Sequence, residues 1–399
     1  MRILFVAMSD SVHTARWIAQ VADCGWDLHL FPSLDFGATH ALLRNVTVHH
    51  SFYGGDVGRN PTARRRGINL GFRSSAYVAR MAMKQLRPDY RSRALARLVK
   101  RLRPAIVHSL EFQAAGYMTL DAQQAIGDSF PTWIATNWGS DLTLFGRLPA
   151  HRERIHSILA RCDYYSCECT RDIALARDFG LKGETFPVLP NAGGFDLAEA
   201  WSLRAPGPTS GRRLVMLKGY QHWAGRALVG LRALARCADA LTGHTVVVYG
   251  AGDEVRLAAV LFAADTGVDT IVLPRLTTHR EILGYHGRAR VSIGLSIGDA
   301  ISTSFLEAML MGAFPIQSDT SCGDEWAAHG EGALFVPPED PEQVEAALRR
   351  ALTDDALVDS AATRNWDTAQ ARLDQGRIQA QVIEQYRRVA TSSKDRPAP

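Results

Sequence analysis

The sequence predicts an α/β protein built as two doubly wound, Rossmann-like domains, and three observations carry that prediction. Short apolar runs alternate with amphipathic helical stretches twice over, once before and once after the middle of the chain. The runs are continuous rather than alternating, as in parallel strands buried on both faces. Between the two series lies Ala205–Arg213, APGPTSGRR, where Pro, Gly and Ser concentrate as in an inter-domain linker. A chain of 399 residues accommodates two domains of ordinary size. The expected boundaries are 1–200 and 201–375, with a final helix over 376–399 packing back on the first domain.

In the first half, Arg2–Ala7 is a buried strand, and its direct passage into an amphipathic stretch sets it apart from a secretory leader. The polar loop Met8–His13 leads to a helix over Thr14–Cys24, closed by Gly25. Asp27–Phe31 and Val46–His49 are the next strands. The first loop lacks Gly-x-Gly-x-x-Gly, which argues against a nicotinamide cofactor.

Arg59–Arg103 then reads as two helices broken near Pro88. It holds 14 Lys and Arg against one acid, Asp89, interleaved with Val78, Met81, Leu86, Leu95, Leu98 and Leu102. A solvated basic face explains this pattern. Attraction to anionic headgroups or to a lipid-linked polyanion explains it too, at ~1 kcal/mol per surface cation. Nucleic acid ranks last, because no helix-turn-helix, zinc or aromatic platform accompanies the charge.

Ala105–Ser109 and Thr132–Thr136 are further strands. Ser9 and His13, His108 and Glu111, and Asn137 and Asp141 thereby fall at or beyond the carboxyl ends of strands. Ligands bind there in open parallel sheets, although a histidine in such a place also has a purely structural reading. Cys162–Cys167 and Thr185–Val188 continue the alternation around a helix at Arg171–Phe179.

The second half restarts with strand Leu214–Leu217 and helix Arg226–Cys237. Strand Thr245–Tyr249, helix Asp253–Phe262, strand Thr270–Leu273 and helix Arg280–Gly287 follow. Gly250 and Gly252, just past a strand, permit close approach of a ligand to the backbone. Next comes strand Val291–Leu295, a loop of small polar residues from Ser296 to Ser304, and helix Phe305–Met311 stopped by Gly312. Strand Phe314–Gln317 and the helices Pro341–Leu352 and Arg377–Arg388 complete the chain. Strand, loop and helix start together form an anion-binding arrangement. Asp299 in the loop and Glu307 in the first helical turn, with seven residues between them, border one pocket. Lys218 and Arg226 supply the cations that a pyrophosphate needs.

Composition fits a soluble globular protein, with 46% hydrophobic and 22% charged residues. No apolar run approaches the ~20 residues that span a bilayer. The six cysteines have neither disulfide nor zinc spacing, as expected of reduced thiols in the cytoplasm.

These segments resemble retaining glycosyltransferases of the GT-B fold, particularly the large GT4 group (glycosyl transferases group 1). Asp299 and Glu307 are similar to that group's acidic-x7-Glu signature, although its first member is usually Glu. Leu306–Asp319 is similar to the family's LEAMACGVPVVAS run. Ser11–Phe31, Asn137–Leu142, Leu189–Asp196 and Gly250–Glu254 have counterparts in the same order. The resemblance implies two domains facing across a cleft, the first binding acceptor and the second the nucleotide-sugar donor. It implies Glu307 on the ribose hydroxyls and Asp299 on the donor sugar. Amides around Thr303, Ser304 and Phe305 would hold the diphosphate, with Lys218 and Arg226 on the phosphates and Arg275 near the base. KGYQHWAGR differs in spacing from the family's GR-x4-KG, so which cation fills which role stays open. In the first domain His108, Asp141 and Glu111 are positioning candidates, with Ser9, His13 and Asn137 on the acceptor side.

The implied activity is hexose transfer, with retention and without a metal or other cofactor. The acceptor would be a cell-envelope glycan or a lipid-linked species. The expected location is cytoplasmic, peripheral to the inner face of the plasma membrane through Arg59–Arg103. Two other readings stay open: a nucleotide-sugar 2-epimerase of the same fold, and a non-catalytic nucleotide- or carbohydrate-binding scaffold.

Overall fold

The computed structural model describes residues 1–55 and 62–392. The chain forms two compact units, one comprising Met1–Gly193 together with the chain from Gly376 onward, the other Gly194–Gln375.

The first unit contains β1 (Arg2–Ala7), α1 (Val12–Ala19), β2 (Asp27–Pro32), β3 (Val46–Tyr53), β4 (Arg64–Asn69), α2 (Arg73–Leu86) and α3 (Tyr90–Leu102). It continues with β5 (Ile106–Leu110), α4 (Tyr117–Ile126), β6 (Thr132–Thr136), α5 (Ser140–Thr143), α6 (Pro149–Arg161), β7 (Tyr164–Ser166), α7 (Thr170–Asp178) and β8 (Glu184–Thr185). The eight strands form one parallel sheet in the order β4-β3-β2-β1-β5-β6-β7-β8. Strand order reverses between β1 and β5, and both strands are buried along almost their whole length, as doubly wound sheets require.

The second unit runs α8 (Leu197–Leu203), β9 (Leu214–Lys218), α9 (Ala227–Arg236), β10 (Thr245–Tyr249), α10 (Asp253–Thr266), β11 (Asp269–Val272), α11 (His279–His286) and β12 (Ala289–Gly294). Then come α12 (Thr303–Met311), β13 (Phe314–Ser318), β14 (Leu334–Val336), α13 (Pro341–Thr353) and α14 (Asp355–Arg372). Its six strands are parallel in the order β11-β10-β9-β12-β13-β14, so the switch point lies between β9 and β12. Val215, Leu217, Val246, Val248, Val291, Ile293 and Ile316 make the inner layer, covered by α9 and α13. The last helix, α15 (Gln375–Ser392), inserts Ile378, Val382, Tyr386 and Val389 into the core of the first unit around β1 and β5.

The structure corrects three expectations. Arg64–Arg66 belong to an edge strand, not a helix; β4 pairs with β3 and is exposed along most of its length. An exposed edge strand needs no apolar alternation, and its arginines discourage pairing with another chain. Arg59, the first residue of the basic stretch, lies outside the described residues. The segment Ala205–Arg213 is not a linker but a strap bound inside the second unit. Thr209 Oγ1 donates to Gly312 O at 2.7 Å, and buried Arg212 donates to the carbonyls of Ala289 and Met311 at 3.2 and 3.1 Å. The chain passes between the units at Gly193–Gly194 instead. Helices α4, α5, α6, α8 and α14 and strand β14 were not anticipated.

Candidate active site

At the switch point of the second unit, β9 delivers Lys218 and β12 leads into the loop that starts α12. Ser302 is the N-cap of α12, with extended backbone at φ −68° and ψ 125°, yet its hydroxyl makes no capping bond. It accepts instead from Lys218 Nζ at 3.0 Å and pairs with Ser304 Oγ at 2.8 Å. A cation is thereby held at a helix start, where the first-turn amides have no partners within the helix. Phe305 N is already bonded to Ser302 O at 2.9 Å, which sets it apart from the amides of Thr303 and Ser304 in the same turn. The Phe305 ring is buried and lies 6.1 Å from that of Phe335.

Glu307 begins the second turn of α12, one turn later than expected, and is 6% exposed. Its Oε1 accepts from His279 Nε2 at 2.7 Å, while His286 Nε2 stands 3.9 Å from Oε2, too far for a hydrogen bond. His279 and His286 are the first and last residues of α11, seven apart and on one face. Burial holds His286 neutral, lowering its pKa to about 4 against the pull of Glu307. The ring of Tyr249, at the end of β10, meets His286 edge-on at 5.4 Å. Burial pushes the Tyr249 phenol well above its usual range, and the Glu307 carboxylate adds to the shift.

Asp299 is half-buried in the loop before α12, with Oδ1 accepting from Ala300 N at 2.9 Å. The segment between β9 and α9 folds against this loop: Arg226 N donates to Leu295 O at 3.1 Å and Ile297 N to Ala224 O at 3.0 Å. That contact brings His222 under the influence of Asp299. Burial, Lys218 and Arg226 together keep the imidazole below its usual pKa against the opposing pull of that carboxylate.

Arg226 has its guanidinium engaged within its own segment. Its guanidinium pairs with Glu339 Oε1 at 2.9 Å and donates to the carbonyls of Ala224 and Gly225 at 3.3 and 3.0 Å, tying its own loop. Gly250 has φ +65°, and a Cβ there would approach the Tyr220 ring to 2.9 Å, so glycine is required. Gly252 is the N-cap of α10, where a Cβ meets nothing within 4 Å. Arg275 is exposed and pairs with Asp253 at 2.6 Å, at the first residue of α10.

In the first unit, His108 is not a site residue. It lies within β5, fully buried, with Nδ1 2.6 Å from Tyr386 Oη and Nε2 2.6 Å from Thr136 Oγ1. Burial lowers its pKa to about 3. Trp17 Nε1 donates to the same Tyr386 hydroxyl at 2.9 Å, so the group ties α1, β5, β6 and α15 together. Asp141 is buried, with Oδ2 accepting from the amides of Phe112 and Trp138 at 3.0 and 2.8 Å. Glu111 has φ 76° and caps the turn Phe112–Gly116 by accepting from the amides of Ala114 and Ala115. Burial raises the Glu111 pKa to about 7 and pushes Asp141 well above its usual range, with Glu111 adding to that shift. Asn137 is buried and donates to Asp172 at 2.6 Å. Ser9 is buried and donates to Ala38 O at 2.6 Å. His13, at the start of α1, places its ring 5.8 Å from that of Trp138. Of these, His13, Glu111 and Asp141 gather at the carboxyl ends of β1, β5 and β6, beside the switch point.

Sequence reasoning missed His279, His286, Tyr249 and Ser302. One signal existed for His279. Thr278 and Glu281 make a capping box, which places the residue between them at the start of a helix.

Residues 212–354 match the family model described as glycosyl transferases group 1. No curated protein matches the chain in sequence. Among solved structures, sucrose-phosphate synthase from Thermosynechococcus elongatus superposes with a TM-score of 0.72 at 16% identity, covering 98% of this chain and 100% of that one. Anabaena HepE in complex with UDP and glucose gives 0.65 at 13% identity, over 97% of this chain and 99% of that one. An E. coli trehalose-6-phosphate structure bound with UDP-2-fluoro glucose gives 0.64 at 11% identity, over 98% and 99%. The fold of the two parallel-sheet units is that of the GT-B glycosyltransferases.

Proposed function

We propose that the protein is a retaining hexosyltransferase that takes its sugar from a nucleoside diphosphate donor. One constellation carries the proposal: Lys218, Ser302 and the start of α12 in front of buried Glu307, within the segment that matches glycosyl transferases group 1. HepE is described with UDP and glucose and the E. coli protein with UDP-2-fluoro glucose, which supports a nucleotide-sugar donor.

In this reading Glu307 accepts from the ribose hydroxyls, and Asp299 accepts from hydroxyls of the donor sugar. The diphosphate lies against the amides of Thr303 and Ser304 with Lys218 alongside, and Arg275 lies near the base. As the bond from the anomeric carbon to the β-phosphate oxygen breaks, negative charge grows on that phosphate. Lys218 and the helix start are already oriented to receive it. The acceptor hydroxyl attacks from the face the phosphate leaves, and its proton passes to the departing phosphate oxygen. Configuration is retained and no protein nucleophile is needed. No metal is required for this charge stabilisation. The first unit takes the acceptor side, with His13, Glu111 and Asp141 beside its switch point.

The acceptor in this proposal is a cell-envelope glycan or lipid-linked species, met at the cytoplasmic face of an anionic membrane. No helix among the described residues is long and apolar enough to cross a bilayer. The basic segment supports a peripheral contact. Ala76 is the one buried residue of α2, while Phe72, Tyr77, Val78, Met81 and Leu86 are exposed, as are Arg73, Lys84 and Arg87 in and just after the same helix. An apolar stripe flanked by cations suits an anionic interface.

The test is incubation with UDP-, GDP- and ADP-linked hexoses, with and without glycan and lipid-linked acceptors. NMR of the product reads the anomeric configuration, and EDTA tests the metal. Transfer with retention, unaffected by EDTA, is expected. Accumulation of a 2-epimer without acceptor would establish epimerisation instead, and nucleotide binding without turnover would establish a scaffold. Reduced binding of a Val78→Ser, Met81→Ser variant to anionic vesicles, with neutral vesicles unbound throughout, is the expected membrane result.

A further inference from the structure

The His279 side chain is 39% exposed, whereas the Glu307 side chain it bonds is 7% exposed. The histidine thus stands at the rim of the site and the carboxylate at its floor. Nothing in the packing of α11 demands an imidazole there, since the buried residues of that helix are Leu283 and His286. The ring is nonetheless held. Phe195 stacks on it at 6.2 Å and 27°, and Phe195 is itself anchored through its amide to Leu373 O at 2.8 Å and by a bridge to Asp374. The capping box of Thr278 and Glu281 fixes the backbone from which the ring projects. Ring, helix start and carboxylate therefore form one rigid assembly at a 2.7 Å hydrogen bond.

We propose that His279 is a positioning residue of the nucleotide site, which orients the Glu307 carboxylate for the ribose hydroxyls of a bound nucleoside diphosphate. A carboxylate has about four lone-pair directions, and an imidazole N–H that occupies one sets the plane in which the others point. Without that partner the carboxylate loses the donor that fixes Oε1, and ribose recognition loses part of its geometry. His286 does not substitute, because it lies beyond hydrogen-bond distance of the same group. The inference rests on the reading of Glu307 as the ribose ligand.

The experiment measures affinity by calorimetry for whichever of UDP, GDP and ADP binds tightest, and for its 2′,3′-dideoxy counterpart. The proteins are wild type, His279→Ala, His279→Gln and Glu307→Ala, each checked for folding by its thermal transition. Wild type should prefer the ribonucleotide. His279→Ala should weaken ribonucleotide binding about tenfold, as befits one charge-assisted hydrogen bond, and leave the dideoxy affinity within about twofold. His279→Gln, which keeps a donor, should recover most of the preference. A His279→Ala protein that retains the preference while Glu307→Ala loses it overturns the role of His279 alone. A Glu307→Ala protein that retains the preference, or a wild type that binds none of the three nucleotides, overturns the reading of Glu307 and this inference with it. Tighter ribonucleotide binding in His279→Ala would make the imidazole a competitor for Glu307 and overturn the proposal as well. Should His279→Ala not fold, His279→Gln and His279→Asn give the same comparison.

Discussion

Lys218→Met should remove one cation from the leaving group and little else. Nζ stands 3.0 Å from the hydroxyl of the N-cap of α12, so a phosphate seated on that helix start lies about 4 Å from the ammonium. At an effective dielectric of about 20, a unit charge pair at that distance interacts by ~4 kcal/mol. Lys218 is half-buried and its ring partner Tyr220 is exposed, so water enters and roughly half of this survives, ~2 kcal/mol. Because charge on the phosphate grows as the sugar departs, the loss falls on the transition state and amounts to about 30-fold in kcat. Methionine keeps the length of the stem but loses the ammonium that sits 4.6 Å from the centroid of the Tyr220 ring, so the protein should stay folded with a stability loss of only about 1 kcal/mol. Initial-rate kinetics with saturating donor measure the effect. A kcat within twofold of wild type, in a folded protein, would refute the assignment of Lys218 to the phosphate.

Other consequences are testable without a substrate. Gly250→Ala puts a Cβ at φ +65° and 2.9 Å from the Tyr220 ring, and should cost about 1–3 kcal/mol in urea unfolding, whereas Gly252→Ala should change stability by less than ~1 kcal/mol. Tyr386→Phe leaves the buried Trp17 Nε1 and His108 Nδ1 without their shared hydroxyl, and a loss of about 2–3 kcal/mol by calorimetry is expected. Glu111 is raised from its usual value to about 7 by burial, so the folded state binds its proton more tightly than the unfolded state. Its contribution is therefore present below the unfolded pKa and is lost as pH rises through about 7. Unfolding free energy measured from pH 5 to 8 should decline less steeply in Glu111→Gln than in wild type.

The legible parts of this chain were those written locally. Buried parallel strands announce themselves as continuous apolar runs, and a loop of small residues before a Gly-stopped helix marked the start of α12. Asp299 and Glu307 were found because both lie in that one segment. The parts that escaped are non-local. His279 meets Glu307 across 28 residues of sequence, and only the sheet order brings α11 beside α12. His108 looked like a strand-end ligand, because nothing near it in sequence reveals Tyr386, 278 residues away, as its partner. That the Arg226 guanidinium donates to its own loop carbonyls was equally hidden, because a free cation and one so engaged read the same in one dimension. β4 escaped for the opposite reason: an exposed edge has no apolar pattern to betray it.

The return of α15 to the first unit has a consequence for biosynthesis. Ribosomes deliver Met1–Gly193 first, yet the core around β1 and β5 lacks Ile378, Val382, Tyr386 and Val389 until the final helix emerges. The second unit, continuous from Gly194 to Gln375, has its whole core in hand before that moment. The half that is made first is therefore finished last. During translation the nascent first unit carries an apolar face that only the distant α15 covers, and this interval is when it most needs a chaperone.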